Sequence, residues 1–561
     1  MVARIFLEGQ RLSNSFVQWK RRWVLFSLFS VFVVLCLLLE NTQEPATAIY
    51  IDRLSSAQSL LVELQRRNRQ LLKILRDFEK IDITIDKEGT LHDLEERLEI
   101  LSSSNGSKVP LKRPSTEYQH LQRHIKNNIN EFWYFVKAQL QKMKSEAAES
   151  LKPTLDDILA MALDHTQALL SDIDEVMQKD GYKDWRRAER DDLAGLVWRR
   201  FNYLQNPQNC KTAKKLICHV EQDCSYGCQI HRLVSCFIVG YGTQRTVILK
   251  FEGFEGVFKP LSETCTMNYD SADIWPGKET SQVISIPNVQ SMNPRSQYAP
   301  QAVPEDLAPR LTRLHGNPIV WWVGHVLQYV LRYQNNTTDY IEATMRSLKL
   351  KNPIVGVHLA KTGSGDLSLT LDEHMWEVER YYNQLELKQI VTKRRIYVAA
   401  DDVQVISDLT KRYPDYQVIF HTKRTETSSG LLNFIIDLHI LSLTDFLVCS
   451  FSSETCRLAY ELMQTKQPDA SAKCRSLDDV YFYSQQLHNM RKAIRVHQSE
   501  SEEEIDLELN DLIDLWRNNW DGYSLGRNLR TNRWGLFPSH KVEIEIETVK
   551  FPTYSEIEYT I

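Results

Sequence analysis

The sequence has almost no excess of charge: 68 Lys and Arg against 73 Asp and Glu leave a formal net charge of −5 over 561 residues. That balance argues against nucleic acid as the main partner, because phosphate binding needs a concentrated basic surface. Cysteine is absent between Cys36 and Cys210, after which six fall between Cys210 and Cys265. No convincing metal-ligand cluster stands out. Asp172-Ile173-Asp174 has the D-x-D form but lies in a stretch of helical periodicity, where it reads as a solvated helix face. With 42% hydrophobic and 25% charged residues the chain is neither disordered nor fibrous, and its length fits roughly three to four domains.

Long apolar runs are also scarce, with one exception. Trp23 to Leu39 (WVLFSLFSVFVVLCLLL) is 17 residues without a charge, at the lower limit of a membrane span and longer than most signal-peptide cores. Lys20, Arg21 and Arg22 precede it and Glu40 follows. The positive flank keeps the N-terminus cytosolic and sends roughly 520 residues to the far side. A cleaved signal peptide is the alternative, with Ala46-Thr47-Ala48 as its cleavage site; either way the bulk of the chain is lumenal or extracellular. Glycosylation patterns at Asn105, Asn335 and Asn336 agree with that side. In such an oxidising compartment the cysteines are expected to pair.

From Ile51 to Phe78 apolar residues recur at helical spacing, and further helical stretches run from Tyr118 to Met143 and from Leu155 to Met177. They predict a helical stem, either self-associating as a coiled coil or folded back as an intramolecular hairpin. After Cys210 short apolar runs alternate with helical stretches. Strand candidates are Thr246–Leu249, Pro353–His358, Arg395–Ala399, Gln417–Phe420 and Asp445–Cys449, with helices Asp372–Leu387 and Val403–Tyr413 between several of them. That alternation predicts an α/β core, a doubly wound parallel sheet that binds ligands outside the carboxyl ends of its strands. The ends of interest are His358 onward and Asp401-Asp402. The segment Ile505–Val542 resembles an SH3 barrel through Trp520, Gly522, Gly535, Pro538 and Val542, and reads as a packing or substrate-contact module.

Longer blocks carry a chain-wide resemblance: CSYGCQIH from Cys224, YGTQRTVIL from Tyr241, VFKPLSETC ending at Cys265, AVPEDLAPRLTRLHGNPIVWWV from Ala302, DFLVCSFSSETCRLAYELMQ from Asp445, PDASA, and SLDDVY near Leu477. The chain resembles the core α1,6-fucosyltransferases of N-glycan processing. The resemblance implies a nucleotide-sugar-binding α/β core carrying an N-terminal membrane anchor, a helical stem and a C-terminal SH3-like β-barrel. The corresponding boundaries are a cytosolic tail at 1–22, the anchor at 23–39, the stem at 40–200, the core at 201–500, and the SH3-like domain with the tail at 501–561. It further implies a single-pass type II protein of the Golgi membrane with its catalytic part in the lumen and a homodimer formed through the stem. Fucose would pass from GDP-fucose to the 6-hydroxyl of the asparagine-linked GlcNAc of an N-glycan acceptor, without a metal or other cofactor. Inversion at the anomeric carbon needs a base for that hydroxyl and support for the departing diphosphate.

The family pairing of cysteines implies disulfides Cys210–Cys265, Cys218–Cys236, Cys224–Cys228 and Cys449–Cys456, leaving Cys36 and Cys474. Read from spacing alone, Cys224-x3-Cys228 is also a zinc half-site, which the compartment and the even count disfavour. His358, Asp401, Asp402, Asp437 and Ser453 match family positions that bind the donor, with His358 and Asp437 at its guanine end.

The family's H-V-R-R-T-D-K signature, with a catalytic Glu shortly after it, is broken here. The chain reads His358-Leu359-Ala360-Lys361-Thr362-Gly363-Ser364-Gly365-Asp366, so Ala360 and Lys361 stand where the two arginines would be. The Asp-Lys pair is absent and the loop to Glu373-His374 is about three residues short. Lys361 and Asp366 are the candidate catalytic residues that remain, Lys361 as a point charge without a bidentate fork and Asp366 in place of the missing Glu. The loop between Leu249 and Phe258 is shorter than the family's and has lost a nucleotide-contacting tyrosine. The family's Ser-Ser-Gln is Ser452-Ser453-Glu454, which brings a negative charge toward the diphosphate. A hydrogen bond to a charged group contributes about 1.5–3 kcal/mol, and a lost transition-state donor typically costs about 10²–10³ in rate. The readings are therefore a transferase with a rebuilt loop, a catalytically impaired relative that binds N-glycans or an active partner transferase, and a local misreading of Leu359–Leu371 in the coding sequence.

Overall fold

The computed structural model describes residues 113–558, except 266–270, 361–370, 401, 422–429, 484–485 and 487. The anchor expected at Trp23–Leu39, the helical stretch from Ile51 and Asn105 lie outside the described residues. Among the described residues no helix is long and apolar enough to cross a membrane.

Three helices lead: α1 (Thr116–Glu146), α2 (Lys152–Lys179) and α3 (Lys183–Gln205). Ser115 starts α1 by accepting the Tyr118 amide at 3.1 Å, and Pro153 sits in the first turn of α2, where a missing N–H costs nothing. α1 and α2 pack together as an intramolecular hairpin, tied by Lys126 Nζ and Asp174 Oδ1 at 2.8 Å. Asp172-Ile173-Asp174 is part of α2, with Ile173 buried and Asp172 exposed, so the D-x-D triplet is a helix face. α3 is fixed more deeply, through Leu193, Val197 and Phe201 in the main core, and it runs across the 200/201 boundary.

β1 (Lys215–His219), α4 (Tyr226–Gly242), β2 (Thr246–Lys250), β3 (Asp273–Ile274) and β4 (Val283–Ile286) build a parallel sheet of order β2-β1-β4-β3. β5 (Val303–Pro304), α5 (Ala308–Leu314), α6 (Pro318–Val330) and α7 (Asn335–Leu348) follow. Asn335 and Asn336 are exposed at the start of α7, and the Thr337 hydroxyl is buried on the Val257 carbonyl at 2.9 Å.

The second parallel sheet alternates strictly: β6 (Val355–Leu359), α8 (Leu371–Glu386), β7 (Arg395–Ala400), α9 (Val403–Arg412), β8 (Gln417–Ile419), α10 (Gly430–Ser442), β9 (Phe446–Cys449), α11 (Glu454–Met463) and β10 (Cys474–Ser476). Its order is β10-β9-β6-β7-β8, all parallel. The chain winds outward from β6 to β8 and then returns to the other side of β6, which puts the topological switch point between β6 and β9. Two strands start later than their apolar runs. Pro353 has no N–H to give, and the Asp445 carboxylate takes the Ile354 amide at 2.8 Å. At Gly324 of α6 an added Cβ would lie 2.2 Å from the Glu461 carbonyl, so only glycine lets α6 approach α11 this closely.

β11 (Met490–Ala493), β12 (Leu512–Asn518), β13 (Tyr523–Asn528), β14 (Arg533–Pro538) and β15 (Val542–Ile544) form an antiparallel sheet of order β14-β13-β12-β11-β15, with a 3-10 turn at Ser539–Lys541. Its own small core gathers Ala493, Ile505, Leu507, Ile513, Leu515 and Phe537. β16 (Thr548–Val549) pairs with β5, and α12 (Ser555–Glu558) ends on α3, where Glu558 meets Arg200 at 2.8 Å. Disulfides join Cys210 to Cys265, Cys218 to Cys236, Cys224 to Cys228 and Cys449 to Cys456, and Cys474 is a free thiol.

Candidate active site

Of the polar groups that sequence singled out, the carboxyl edge of the second parallel sheet collects His358, Asp402 and Ser453. β6 is buried along its whole length, and His358, its penultimate residue, is 5% exposed. Ala360 follows the strand into solvent, and Lys361 and Asp366 lie outside the described residues. Glu373 and His374 stand in the first turns of α8, with His374 buried. At the end of β7, Asp401 lies outside the described residues. Asp402 is exposed and caps α9, accepting the Gln404 amide at 2.8 Å. Asp437 belongs to α10, which packs on β7, and accepts the Tyr397 hydroxyl at 2.6 Å. Burial, and then the Asp437 charge, push the Tyr397 phenol well above its ordinary range, so it acts as a donor.

Across the switch point, β9 ends at Cys449 and the turn Ser450–Ser453 leads into α11. The disulfide to Cys456 ties this turn to the first turns of the helix. Ser453 occupies the cap position: its amide donates to the Ser450 carbonyl at 3.0 Å and its own carbonyl accepts from Arg457 at 3.2 Å. The turn is held from outside by Asp478, whose carboxylate accepts the Phe451 amide at 2.8 Å, the Ser452 amide at 3.1 Å and the Ser476 hydroxyl at 2.8 Å. Burial raises the Asp478 carboxyl, but these hydrogen bonds outweigh burial and hold it below its usual value. Arg457, 2% exposed, reaches back to the Phe451 carbonyl.

Glu454 is the first residue of α11, where a negative charge suits the helix dipole. Its carboxylate turns toward α4, accepting the Ser225 hydroxyl at 3.0 Å, and lies 3.7 Å from Arg457. Its charge is therefore partly compensated within the fold.

Two groups that sequence reasoning did not single out define this edge: Asp478 and Arg475. The Arg475 guanidinium is stacked between Trp520, 4.2 Å away, and Tyr134, 4.6 Å away. It also donates to the Tyr134 hydroxyl at 2.7 Å and to Glu377 at 3.2 Å. Burial pushes the Glu377 carboxyl up, and Arg380, Arg475 and Lys137 pull it below its ordinary value. The block SLDDVY marked this stretch, but the partners of Arg475 on α1 and α8 are remote in sequence. A ten-residue helix starting at the switch point suits a phosphate-bearing nucleotide.

The family model for alpha-(1,6)-fucosyltransferase N- and catalytic domains matches residues 12–482. An alpha-(1,6)-fucosyltransferase of Drosophila melanogaster is 43% identical over 473 residues, covering 79% of this chain and 76% of that protein. One of Caenorhabditis elegans is 31% identical over 456 residues, covering 76% and 79% respectively. Among solved structures, the NodZ alpha-1,6-fucosyltransferase soaked with GDP-fucose aligns with a TM-score of 0.31 and 13% identity, covering 45% of this chain and 92% of that one. With the family model spanning residues 12–482 and relatives this similar over three quarters of their length, the chain belongs to the alpha-(1,6)-fucosyltransferase family.

Proposed function

We propose that this protein transfers fucose from GDP-fucose to the 6-hydroxyl of the asparagine-linked GlcNAc of N-glycans, without a metal. The observation that carries this reading is family membership across 12–482, joined to a switch point whose edge presents His358, Asp402 and Ser453 with Asp437 behind it. His358 and Asp437 would hold the guanine end of the donor. Ser453 and the amides of the α11 terminus would face the diphosphate, with Asp401 and Asp402 nearby. The acceptor oxygen attacks the anomeric carbon while the bond from that carbon to the β-phosphate oxygen breaks, and GDP departs with the electron pair. The acceptor proton goes to a carboxylate, for which Asp366 is the candidate, and Lys361 supplies positive charge to the leaving diphosphate.

The protein would work as a type II membrane protein of the Golgi, anchored by Trp23–Leu39, with its catalytic part in the lumen and carbohydrate on Asn105, Asn335 or Asn336. The antiparallel sheet, with its 3-10 turn before β15, supports an SH3-like barrel. Leu121, Phe132, Met161 and Leu169 are each more than half exposed on α1 and α2, which supports homodimerisation through this hairpin.

The test is a transfer assay on the purified protein with GDP-fucose and an asparagine-linked glycan bearing exposed GlcNAc antennae, read by mass spectrometry beside an intact family member. A 6-linked core fucose is the expected product. GDP binding without product would instead make the chain a catalytically impaired relative that keeps its pocket. Absence of both would point to the glycan or a partner transferase as its ligand.

A further inference from the structure

Tyr397, in the middle of β7, is fully buried. A buried hydroxyl needs a partner, and this one donates to Asp437 Oδ1 of α10 at 2.6 Å. The register of the sheet shows what else shares their space. Gly356 stands opposite Tyr397 and His358 opposite Ala399. Side chains alternate along a strand, so Tyr397 and His358 belong to one face of the sheet, His358 nearer the carboxyl edge. α10 covers that face: a Cβ added at Gly356 would lie 3.0 Å from the Leu441 side chain.

A carboxylate turns about a broad torsion, so its plane is fixed only where a neighbour holds it. Tyr397 is suited to do this because its own strand is paired on both sides, with Gly356 of β6 and Ile419 of β8. An ionised carboxylate offers about four acceptor positions on its two oxygens, so one hydroxyl does not by itself use up either of them.

Guanine presents two donors side by side, the ring N1–H and the exocyclic 2-amino group. Hypoxanthine, which lacks that amino group, presents one. Two parallel bonds are accepted only when the carboxylate plane is aligned with the base edge, whereas a single bond tolerates many orientations. We propose that Tyr397 is the positioning residue that sets the Asp437 carboxylate for guanine, making the donor site select guanine over purines without the 2-amino group. This role presupposes that Asp437 holds the guanine end of the donor, as proposed above. It concerns the choice of nucleotide and not the transfer step.

The test is calorimetry on the full-length protein in detergent, with GDP and inosine diphosphate as the two ligands. The wild type should bind GDP roughly ten- to a hundredfold more tightly, the size of one hydrogen bond to a charged group. Tyr397→Phe keeps the ring that fills the core, and Asp437 is only half-buried, so water can replace the lost hydroxyl. This variant should bind GDP about three- to tenfold more weakly and inosine diphosphate within about twofold of the wild type. Damage to packing alone would weaken both nucleotides alike. Asp437→Asn keeps an oxygen for the Tyr397 hydroxyl but loses the second acceptor, so the two nucleotides should bind about equally. Adding Tyr397→Phe to Asp437→Asn should change neither affinity further. A wild type that does not tell GDP from inosine diphosphate, or an Asp437→Asn ratio equal to the wild type's, would overturn the guanine assignment and this role with it. A changed ratio in Asp437→Asn with an unchanged one in Tyr397→Phe, or a further fall in the double variant, would overturn the role of Tyr397 alone.

Discussion

The indole Nε1 of Trp520 donates to the main-chain carbonyl of Asp478 at 3.0 Å. Through this bond the C-terminal sheet grips the residue whose carboxylate holds the Ser450–Ser453 turn at the switch point. Trp520 adopts a left-handed backbone, φ 57°, at the tight turn before β13, and Arg475 stacks on its ring. The antiparallel domain is thus a support for the candidate donor site, 42 residues further along the chain.

Asp478→Asn should therefore weaken the site without rebuilding it. An amide keeps the shape and one acceptor oxygen, but turns its N–H₂ group toward one of the Phe451 and Ser452 amides, which bond different carboxylate oxygens, leaving that donor without an acceptor. Loss of charged hydrogen bonds of this kind costs about 1.5–3 kcal/mol. The expected outcome is a lower unfolding midpoint together with a drop in GDP affinity by calorimetry. A midpoint that falls while GDP affinity stays put would remove the turn from the donor site.

Glu131 of α1 predicts an unusual pH response. It is 7% exposed, its Oε1 is 3.4 Å from Asn518 Nδ2, and its Oε2 has no partner among the described residues. Burial raises its pKa to about 7, against smaller lowering effects from Asn518, Arg475 and Ser539. A raised carboxyl binds its proton more tightly in the folded state. The stability this gives is complete below the unfolded value near 4.3 and is lost as pH rises toward 7. Glu131→Gln should thus be near neutral at pH 4.5 and stabilising by up to about 3 kcal/mol at pH 8. Denaturant midpoints at the two pH values decide it, and a pH-independent difference would refute the assignment.

What sequence could show depended on range. The strands at Arg395, Gln417 and Phe446 and the intervening helices were legible because each signal, an apolar run or a helical period, is contained within its own element. The ligand-facing ends at His358 and Asp401-Asp402 followed at once, since parallel sheets bind ligands outside the carboxyl ends of their strands. The strand order that puts the switch point between β6 and β9 is not contained in any one element. The hairpin of α1 and α2 could not be told from a coiled coil, because periodicity records an apolar face and not its partner. β1 and β4 escaped notice as short runs among turn residues. Asp478, Arg475 and Glu131 were invisible as a set, since Tyr134 and Arg475 are 341 residues apart and Glu131 and Asn518 387.

Glu454 stands where the family resemblance implies glutamine, and its carboxylate faces Ser225 and Arg457. Glu454→Gln keeps an oxygen for the Ser225 hydroxyl and removes one negative charge from the first turn of α11. If diphosphate docks there, GDP affinity should rise about tenfold, the size of a change of about 1.4 kcal/mol, with the gain shrinking at high salt. Unchanged affinity would mean that Arg457 already cancels the charge.

The sharpest prediction concerns the residue directly after β6. Ala360 is exposed at the carboxyl end of a fully buried strand, next to the switch point, and the family resemblance implies a diphosphate-binding arginine at this position. An alanine there offers the diphosphate nothing, and Lys361 offers a point charge in place of a planar fork. Ala360→Arg combined with Lys361→Arg should restore bidentate donors in the sequence directly after β6. One charged hydrogen bond of about 1.5–3 kcal/mol corresponds to an affinity gain of roughly ten- to a hundredfold for GDP. Because such donors act more strongly on the transition state than on the bound donor, turnover should rise further, by about 10²–10³ for a restored transition-state donor. Calorimetry with GDP and mass-spectrometric transfer assays on the same variant separate the two effects. Tighter GDP without faster transfer would place the deficit in the missing Asp-Lys pair and the base. No change in either would mean that this chain supports the diphosphate from the α11 side of the switch point, through Ser453 and the turn that Asp478 holds.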